Sequence, residues 1–325
     1  MKFSGVELIF PERAILASFM PESKLIQVLD DRPVLGISFG NVTLFRLDRL
    51  GGVAPGNKRF KLEGCMQSLA TPPAQILSFG GAWSNHLHAL AQWGKERNVA
   101  TVGVVRGERH EHLTPTLEDC IEWGMILEFV SRSDYRRRGD PNFLNQLIAR
   151  YPGTVILPEG GASAGGMLGC TSIADLMLAA GIPSGPVLLA VGTGTTLAGI
   201  ALGFGRSGEA QRELIGISAL RGADDLLASI QAILIGRGKA ARWQLLQEHH
   251  CGGFARVNAG LREFMLEFEA VHNVFLEPVY TGKVLYAIHQ LRSQGVWDPQ
   301  QSLVVIHTGG LQGRRGYPWL SSSGE

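Results

Sequence analysis

The sequence predicts an α/β protein made of open, mainly parallel twisted sheets with helices on both faces. Three observations carry that expectation. From about residue 64 onward, short apolar runs of strand length alternate with runs whose apolar residues recur at helical spacing. Glycine is over-used, at 42 of 325 residues against an average of about 7%, and it clusters directly after the strand candidates. Hydrophobic residues make up 45% of the chain and charged residues 18%, enough to bury a sizeable core and too apolar for disorder.

In chain order, residues 1–50 read as an irregular start followed by short strands, the clearest at 43–47. A loop then delivers the chain to Gly56-Asn57-Lys58-Arg59-Phe60-Lys61-Leu62-Glu63, with Lys58 in a tight turn and a helix opening at Lys61. Strands are expected at 75–79, 99–105, 126–130, 155–158, 186–191, 214–218 and 302–307. Helices are expected at 84–93, 116–123, 142–150, up to Ala180, and at 197–204, 225–235, 241–249, 260–272 and 280–293. The stretch from Gly160 to Gly169 reads as a glycine-rich loop, and Arg136-Arg137-Arg138 as a solvated one.

The net charge of +1 argues against a polyanion-binding surface, so no nucleic-acid partner is expected. Cys65, Cys120, Cys170 and Cys251 are widely spaced, which supports neither zinc nor a disulfide framework. Reduced, buried thiols in a cytoplasmic protein are the expectation. The N-terminus lacks a signal-peptide pattern, and no apolar run reaches the roughly 18 residues of a membrane span.

Five glycine-rich turns follow strand candidates. In Val191-Gly192-Thr193-Gly194-Thr195-Thr196, a buried strand enters a Gly/Thr turn that opens a helix. Free N–H groups, the helix dipole and three hydroxyls there suit a phosphate monoester. The turn has neither the lysine of a nucleotide P-loop nor a dinucleotide glycine pattern; a structural turn is the alternative. Ser84, in Gly80-Gly81-Ala82-Trp83-Ser84-Asn85-His86, is either a helix cap or a ligand group. His86 and His88 lie two apart and make a poor metal pair, and no metal is expected. Glu159-Gly160-Gly161-Ala162-Ser163, Glu277-Pro278-Val279-Tyr280-Thr281-Gly282-Lys283 and His307-Thr308-Gly309-Gly310 complete the set. In an open sheet such loops gather at the carboxyl ends of the strands.

Lys58 on its own reads either as a solvated turn residue or as a covalent amine whose pKa desolvation and the nearby Lys61 and Arg59 lower. One such lysine, a phosphate cradle and convergent hydroxyls are together what pyridoxal phosphate requires.

With these motifs in this order, from about residue 40 to 313, the chain resembles the fold-type-II pyridoxal-phosphate enzymes. The branch is that of aminocyclopropane-carboxylate deaminase and D-cysteine desulfhydrase. The resembling stretches are GNKRFKLEG, SFGGAWSNHLHALA, LPEGGASAGGMLG, VGTGTTLAG, EPVYTGK and IHTGG.

The resemblance implies a two-domain, tryptophan synthase β-like architecture, with residues 1–63 plus 170–325 as the large cofactor domain and 64–169 as the small one. It implies pyridoxal 5'-phosphate as cofactor, a small amino acid as substrate, and a homodimer. Lys58 would carry the cofactor as a Schiff base and move the α-proton, and Lys61 matches a second lysine common in the family. Asn85 would bond the phenolic oxygen. Ser84 would act as nucleophile or proton relay, with Tyr280 setting its protonation. Thr193, Gly194, Thr195 and Thr196 would hold the phosphate, and Thr308 would meet the pyridine nitrogen.

Ring-opening members carry Glu where this chain has Thr281 and Leu where it has Thr308; desulfhydrase-like members carry hydroxyls. That leans towards α,β-elimination giving pyruvate, ammonia and, from D-cysteine, sulfide. Ring opening to 2-oxobutanoate, β-replacement and a non-catalytic cofactor- or phosphometabolite-binding protein are the rivals. Phe60, Trp83 and Phe254 depart from the family pattern and are expected to reshape the substrate pocket.

Overall fold

A computed structural model of the chain describes residues 22–52 and 54–323. The irregular start expected over the first residues falls outside them up to residue 21. A short turn leads to β1 (Ile26–Val28), the small hairpin β2 (Pro33–Val34) and β3 (Ile37–Ser38), and β4 (Val42–Arg46). Next come α1 (Asn57–Gln67), β5 (Gln75–Gly80), α2 (Asn85–Arg97), β6 (Ala100–Arg106), α3 (Pro115–Glu122) and β7 (Ile126–Val130). The short α4 (Arg132–Arg136) and α5 (Pro141–Arg150) precede β8 (Thr154–Ile156), α6 (Ala164–Gly169) and α7 (Thr171–Ala179). Then follow β9 (Val187–Val191), α8 (Thr195–Arg206), β10 (Glu213–Ser218), α9 (Asp225–Leu234) and β11 (Arg242–Leu246). The series closes with α10 (Ala259–His272), α11 (Thr281–Ser293) and β12 (Leu303–His307).

Two sheets organise these elements. The larger has six strands in the order β1-β4-β12-β9-β10-β11; the smaller has four, β7-β6-β5-β8. Every pair in both is parallel except β1 with β4. Neighbouring residues of one strand point to opposite faces, and both faces of the large sheet are covered. Phe45, Leu189 and Val304 pack under α7 and α8, whereas Leu44, Leu188 and Val305 pack under α10 and α11. In the small sheet Ile76 and Val105 face α2 and α3, while Leu77, Phe79 and Val104 face α4 and α5. Burial on both sides explains why these strands read as continuous apolar runs.

Two expected elements differ. The helix expected over 241–249 is an edge strand instead, β11, with Leu214 opposite Trp243 and Gly216 opposite Leu245. Leu and Gln are good helix formers, but the exposed edge of β10 offers a ladder of unpaired backbone groups, and that tertiary pairing wins. The supposed loop from Gly160 to Gly169 contains α6, capped by Ser163 Oγ on Gly166 N at 3.0 Å. Its glycines permit close packing: a Cβ on Gly64 of α1 would lie 2.3 Å from the Gly165 carbonyl oxygen. Arg136, Arg137 and Arg138 are exposed as expected, Arg138 pairing with Glu159 at 2.8 Å. The four cysteines are free and buried.

Candidate active site

Lys58 does not sit in a loop. It is the second residue of α1, whose preceding residue is Gly56, with φ at 100°. A side chain at Gly56 would be strained there, and its Cβ would fall 2.3 Å from the Thr308 carbonyl oxygen. That close approach is a bridge between Gly56 and Gly309, reinforced by Asn57 N donating to Thr308 O at 3.1 Å. The loop after β12 therefore fixes the start of the lysine helix.

Burial lowers the Lys58 pKa from 10.5 to about 7, and the Lys61 ammonium adds to it. Arg59 does not share in this: its guanidinium reaches the Gly51 carbonyl at 3.1 Å. Lys61 is buried, and its ammonium donates to Gly160 O at 3.1 Å and lies 3.5 Å from Thr193 Oγ1. It thus puts an amine, its pKa lowered by burial, against the Gly/Thr turn. Phe60, expected to shape the pocket, is fully buried in the main core instead, because α1 turns that face towards the large sheet.

The Gly/Thr turn lies where β9 ends and α8 begins. Gly194 has φ at 77°, and a Cβ on it would meet Ile230 Cγ1 at 2.4 Å. Thr193 and Thr195 hydroxyls are 2.9 Å apart. Thr196 accepts from Asn57 Nδ2 at 3.0 Å and bonds to Cys170, whose thiol burial raises to about 11. Its hydroxyl therefore ties helices together, leaving the Thr193 and Thr195 hydroxyls and the helix's first N–H groups as the groups able to take an anion.

Tyr280 lies over Gly192, where an added Cβ would come within 3.3 Å of its ring. Phe254 meets the same ring edge-on, with centroids 6.2 Å apart, and is half exposed at the rim. Burial and the neighbouring Glu277 hold the phenol well above its ordinary pKa, so it is protonated near neutrality. Ser84 Oγ accepts from Leu87 N at 3.2 Å and caps α2. No hydrogen bond joins it to Tyr280. Asn85, the next residue, has its Nδ2 against Gly310 and its Oδ1 bonded to Gln312. Trp83 stacks on Gly316, and an added Cβ there would lie 3.1 Å from its ring. His86 is buried, bonds Ser78 at 2.8 Å, and is held neutral by burial and the two lysines, its pKa at about 3. His88 pairs with Asp119 at 2.9 Å.

The Thr281 hydroxyl is engaged locally: it accepts from Glu277 N at 3.0 Å and donates to Glu277 O at 3.3 Å. Glu277 itself was not legible as a site residue. Its fully buried carboxylate accepts from the N–H groups of Val279, Tyr280 and Thr281 at 2.9, 2.8 and 2.6 Å. It caps α11 and fixes the backbone of Tyr280; the only sequence signal was a glutamate four residues before the helix opens. Lys283 pins the neighbouring loop by donating to Gly253 O at 2.7 Å. His307 completes the Thr308 turn, its Nδ1 accepting from Gly309 N at 3.3 Å.

A lysine amine with a depressed pKa, a second lysine against a Gly/Thr helix start and a tyrosine over the same turn define a cofactor-binding α/β enzyme. Their chemistry fits pyridoxal phosphate. The model of the family described as pyridoxal-phosphate dependent enzymes matches residues 39–309, and the chain belongs to that family.

Relatives in sequence carry the names 1-aminocyclopropane-1-carboxylate deaminase and D-cysteine desulfhydrase. A putative 1-aminocyclopropane-1-carboxylate deaminase of Pyrococcus horikoshii is 24% identical over 314 residues, 92% of this chain and 94% of the relative. The bifunctional mitochondrial D-cysteine desulfhydrase/1-aminocyclopropane-1-carboxylate deaminase of Arabidopsis thaliana is 25% identical over 295 residues, 82% of this chain and 72% of that protein. The crystal structure of an ACC deaminase homologue has a TM-score of 0.74 at 22% identity, covering 96% of this chain and 99% of that one. Among the described residues no helix is long and apolar enough to cross a membrane.

Proposed function

We propose that the protein catalyses α,β-elimination on a small amino acid of the D-cysteine type, giving pyruvate, ammonia and the β-leaving group. Lys58 would hold the cofactor and Asn85 would donate to its phenolic oxygen. Thr193, Gly194, Thr195 and Thr196 would surround its phosphate together with Lys61, and Thr308 would meet its ring nitrogen. Bound there, pyridoxal phosphate withdraws electrons from the substrate's α-carbon. Lys58 Nζ, set free when the substrate amine replaces it on the cofactor and with its pKa lowered to about 7, would take the α-proton. Tyr280 Oη, kept protonated, would donate a hydrogen bond to the departing thiolate, which leaves as HS−, and Ser84 would serve as the proton relay. Elimination of sulfide leaves an enamine acid, which water converts to pyruvate and ammonia.

The observation that carries elimination over ring opening is the environment of Thr281. By the family resemblance, ring-opening members carry a carboxylate at the position where this chain has the Thr281 hydroxyl. Glu277, the carboxylate nearest in sequence, is held by three backbone N–H groups and is no substitute. Elimination of a good leaving group demands less of the site than breaking a carbon–carbon bond.

The test is a substrate panel on protein saturated with pyridoxal phosphate. Pyruvate from D-cysteine and β-chloro-D-alanine is expected to exceed 2-oxobutanoate from 1-aminocyclopropane-1-carboxylate. Dominant 2-oxobutanoate would overturn the assignment. Absence of any keto acid across a broad panel would favour a binding role. Light scattering on the same sample checks the homodimer the resemblance implies.

A further inference from the structure

The turn after Gly310, residues 311–316, follows a strand of the large sheet but is bonded to helices of the small one. Arg315 pairs with Asp119 of α3, one of its contacts measuring 3.2 Å, and Asp119 also takes His88 Nε2 of α2. Arg315 Nε donates to the Gln312 carbonyl at 3.2 Å. Gly316 lies under Trp83. Between these anchors stands Gln312. Its Oε1 accepts from the buried Thr116 hydroxyl, and its Nε2 donates to Asn85 Oδ1. The Asn85 Nδ2 is then turned away from Gln312, towards Gly310 beside the bridge that sets Lys58.

We propose that Gln312 is a positioning residue that fixes the orientation of the Asn85 amide, oxygen to the turn and NH2 to the cleft. An amide has one accepting and one donating end, and in this arrangement the bonds run from Thr116 to Gln312 and from Gln312 to Asn85, which leaves the Asn85 NH2 to donate to the ligand. The phenolic oxygen of the cofactor, when ionised, only accepts. It is stabilised by the NH2 end of Asn85 and repelled by the carbonyl end. Turning Gln312 over would turn Asn85 over with it. Arg315 and Asp119 hold the turn so that the relay keeps its register across the two sheets. This deepens the function proposed above and rests on Asn85 being a cofactor ligand.

A carboxylate in place of Gln312 accepts from Thr116 but cannot donate to Asn85. It draws the Asn85 NH2 to itself and leaves Oδ1 facing the cofactor. Gln312→Leu merely releases Asn85. The ordering is diagnostic: a structural role for Gln312 makes the near-isosteric Glu the milder change, whereas a positioning role makes it the harsher.

The experiment measures the pyridoxal phosphate dissociation constant by equilibrium dialysis, and the pH midpoint of the bound cofactor's visible absorbance. The proteins are wild type, Gln312→Glu, Gln312→Leu, Thr116→Val and Asn85→Ala. Expected are about tenfold weaker binding for the Glu variant and about threefold for Leu and Val, with the midpoint raised most by Glu. Thermal melts of the cofactor-free proteins verify folding, and the nearly isosteric Thr116→Val carries the test if the Glu variant does not fold.

An unchanged Glu variant beside a weakened Asn85→Ala, or Leu weaker than Glu, overturns the inference and leaves Asn85 in place. An unaffected Asn85→Ala removes both. The elimination reading fails separately, in the product panel, whatever these affinities are.

Discussion

Asn57 Nδ2 donates to Thr196 Oγ1 at 3.0 Å, so the residue before Lys58 is bonded directly to the helix that opens at the Gly/Thr turn. The Asn57 backbone is meanwhile fixed by Thr308. One residue thus joins the start of the Lys58 helix to both the Gly/Thr turn and the loop after β12. Asn57→Ala is expected to cost about 0.5–1.5 kcal/mol of stability and to lower kcat more than it raises KM. Thermal melts and steady-state kinetics check this; a pure KM effect would contradict it.

The Lys58 amine, depressed from 10.5 to about 7, predicts a pH profile. Covalent capture of pyridoxal phosphate by the cofactor-free protein should accelerate as pH rises through about 7 and then level off. Because the folded chain releases this proton earlier than the unfolded one, the group makes stability rise with pH from about 7 to 10.5. Lys61→Met removes the nearby cation and is expected to move the capture midpoint upward. Stopped-flow absorbance reads both, and an unmoved midpoint would show that Lys61 has no part in it.

Gly194→Ala tests the phosphate turn. Its left-handed φ and the 2.4 Å approach to the buried Ile230 make any side chain strained and overpacked. A loss of about 1–3 kcal/mol is expected, with weakened cofactor affinity. A variant melting with the wild type would refute the geometry given for the turn.

Glu277 gives the opposite pH dependence to Lys58. Burial raises its carboxyl from 4.5 to about 7 against the pull of three N–H bonds. The folded chain then holds more protons than the unfolded one between those values, so this group's contribution to stability falls as pH rises from about 4.5 to 7. Glu277→Gln is expected to flatten that slope. It also costs about 1–3 kcal/mol, since an NH2 end now faces a backbone donor. Chemical denaturation at several pH values measures both, and parallel pH curves would contradict the assignment.

The alternation of strands and helices was legible because both sheets are buried on two faces and each strand carries its own apolar run. The 241–249 segment misled because an edge strand exposes one side and its residues are also helix formers; only the neighbouring β10 decides. Phe60 was misjudged for a related reason: adjacency to Lys58 in sequence says nothing of direction on a helix, and one residue's rotation sends it to the core. The lysine, the Gly/Thr turn and Asn85 showed as motifs because a backbone must approach closely there. Glu277 and Gln312 act through other residues, and no local pattern distinguishes them from ordinary polar positions. Thr281 was visible, but its partner was not.

The bridge between Gly56 and Gly309, with β4 held between β1 and β12, bears on how a ribosome delivers this protein. The small sheet draws only on residues 75–156 and can close while synthesis continues. The strand Val42–Arg46 must wait, one edge open, until Leu303–His307 emerges, which makes the pairing slow and long-range. No nascent or prematurely ended chain short of Gly309 can seat the start of the lysine helix. The environment that lowers the Lys58 pKa is therefore assembled last, and an unfinished polypeptide carries Lys58 as an ordinary solvated lysine.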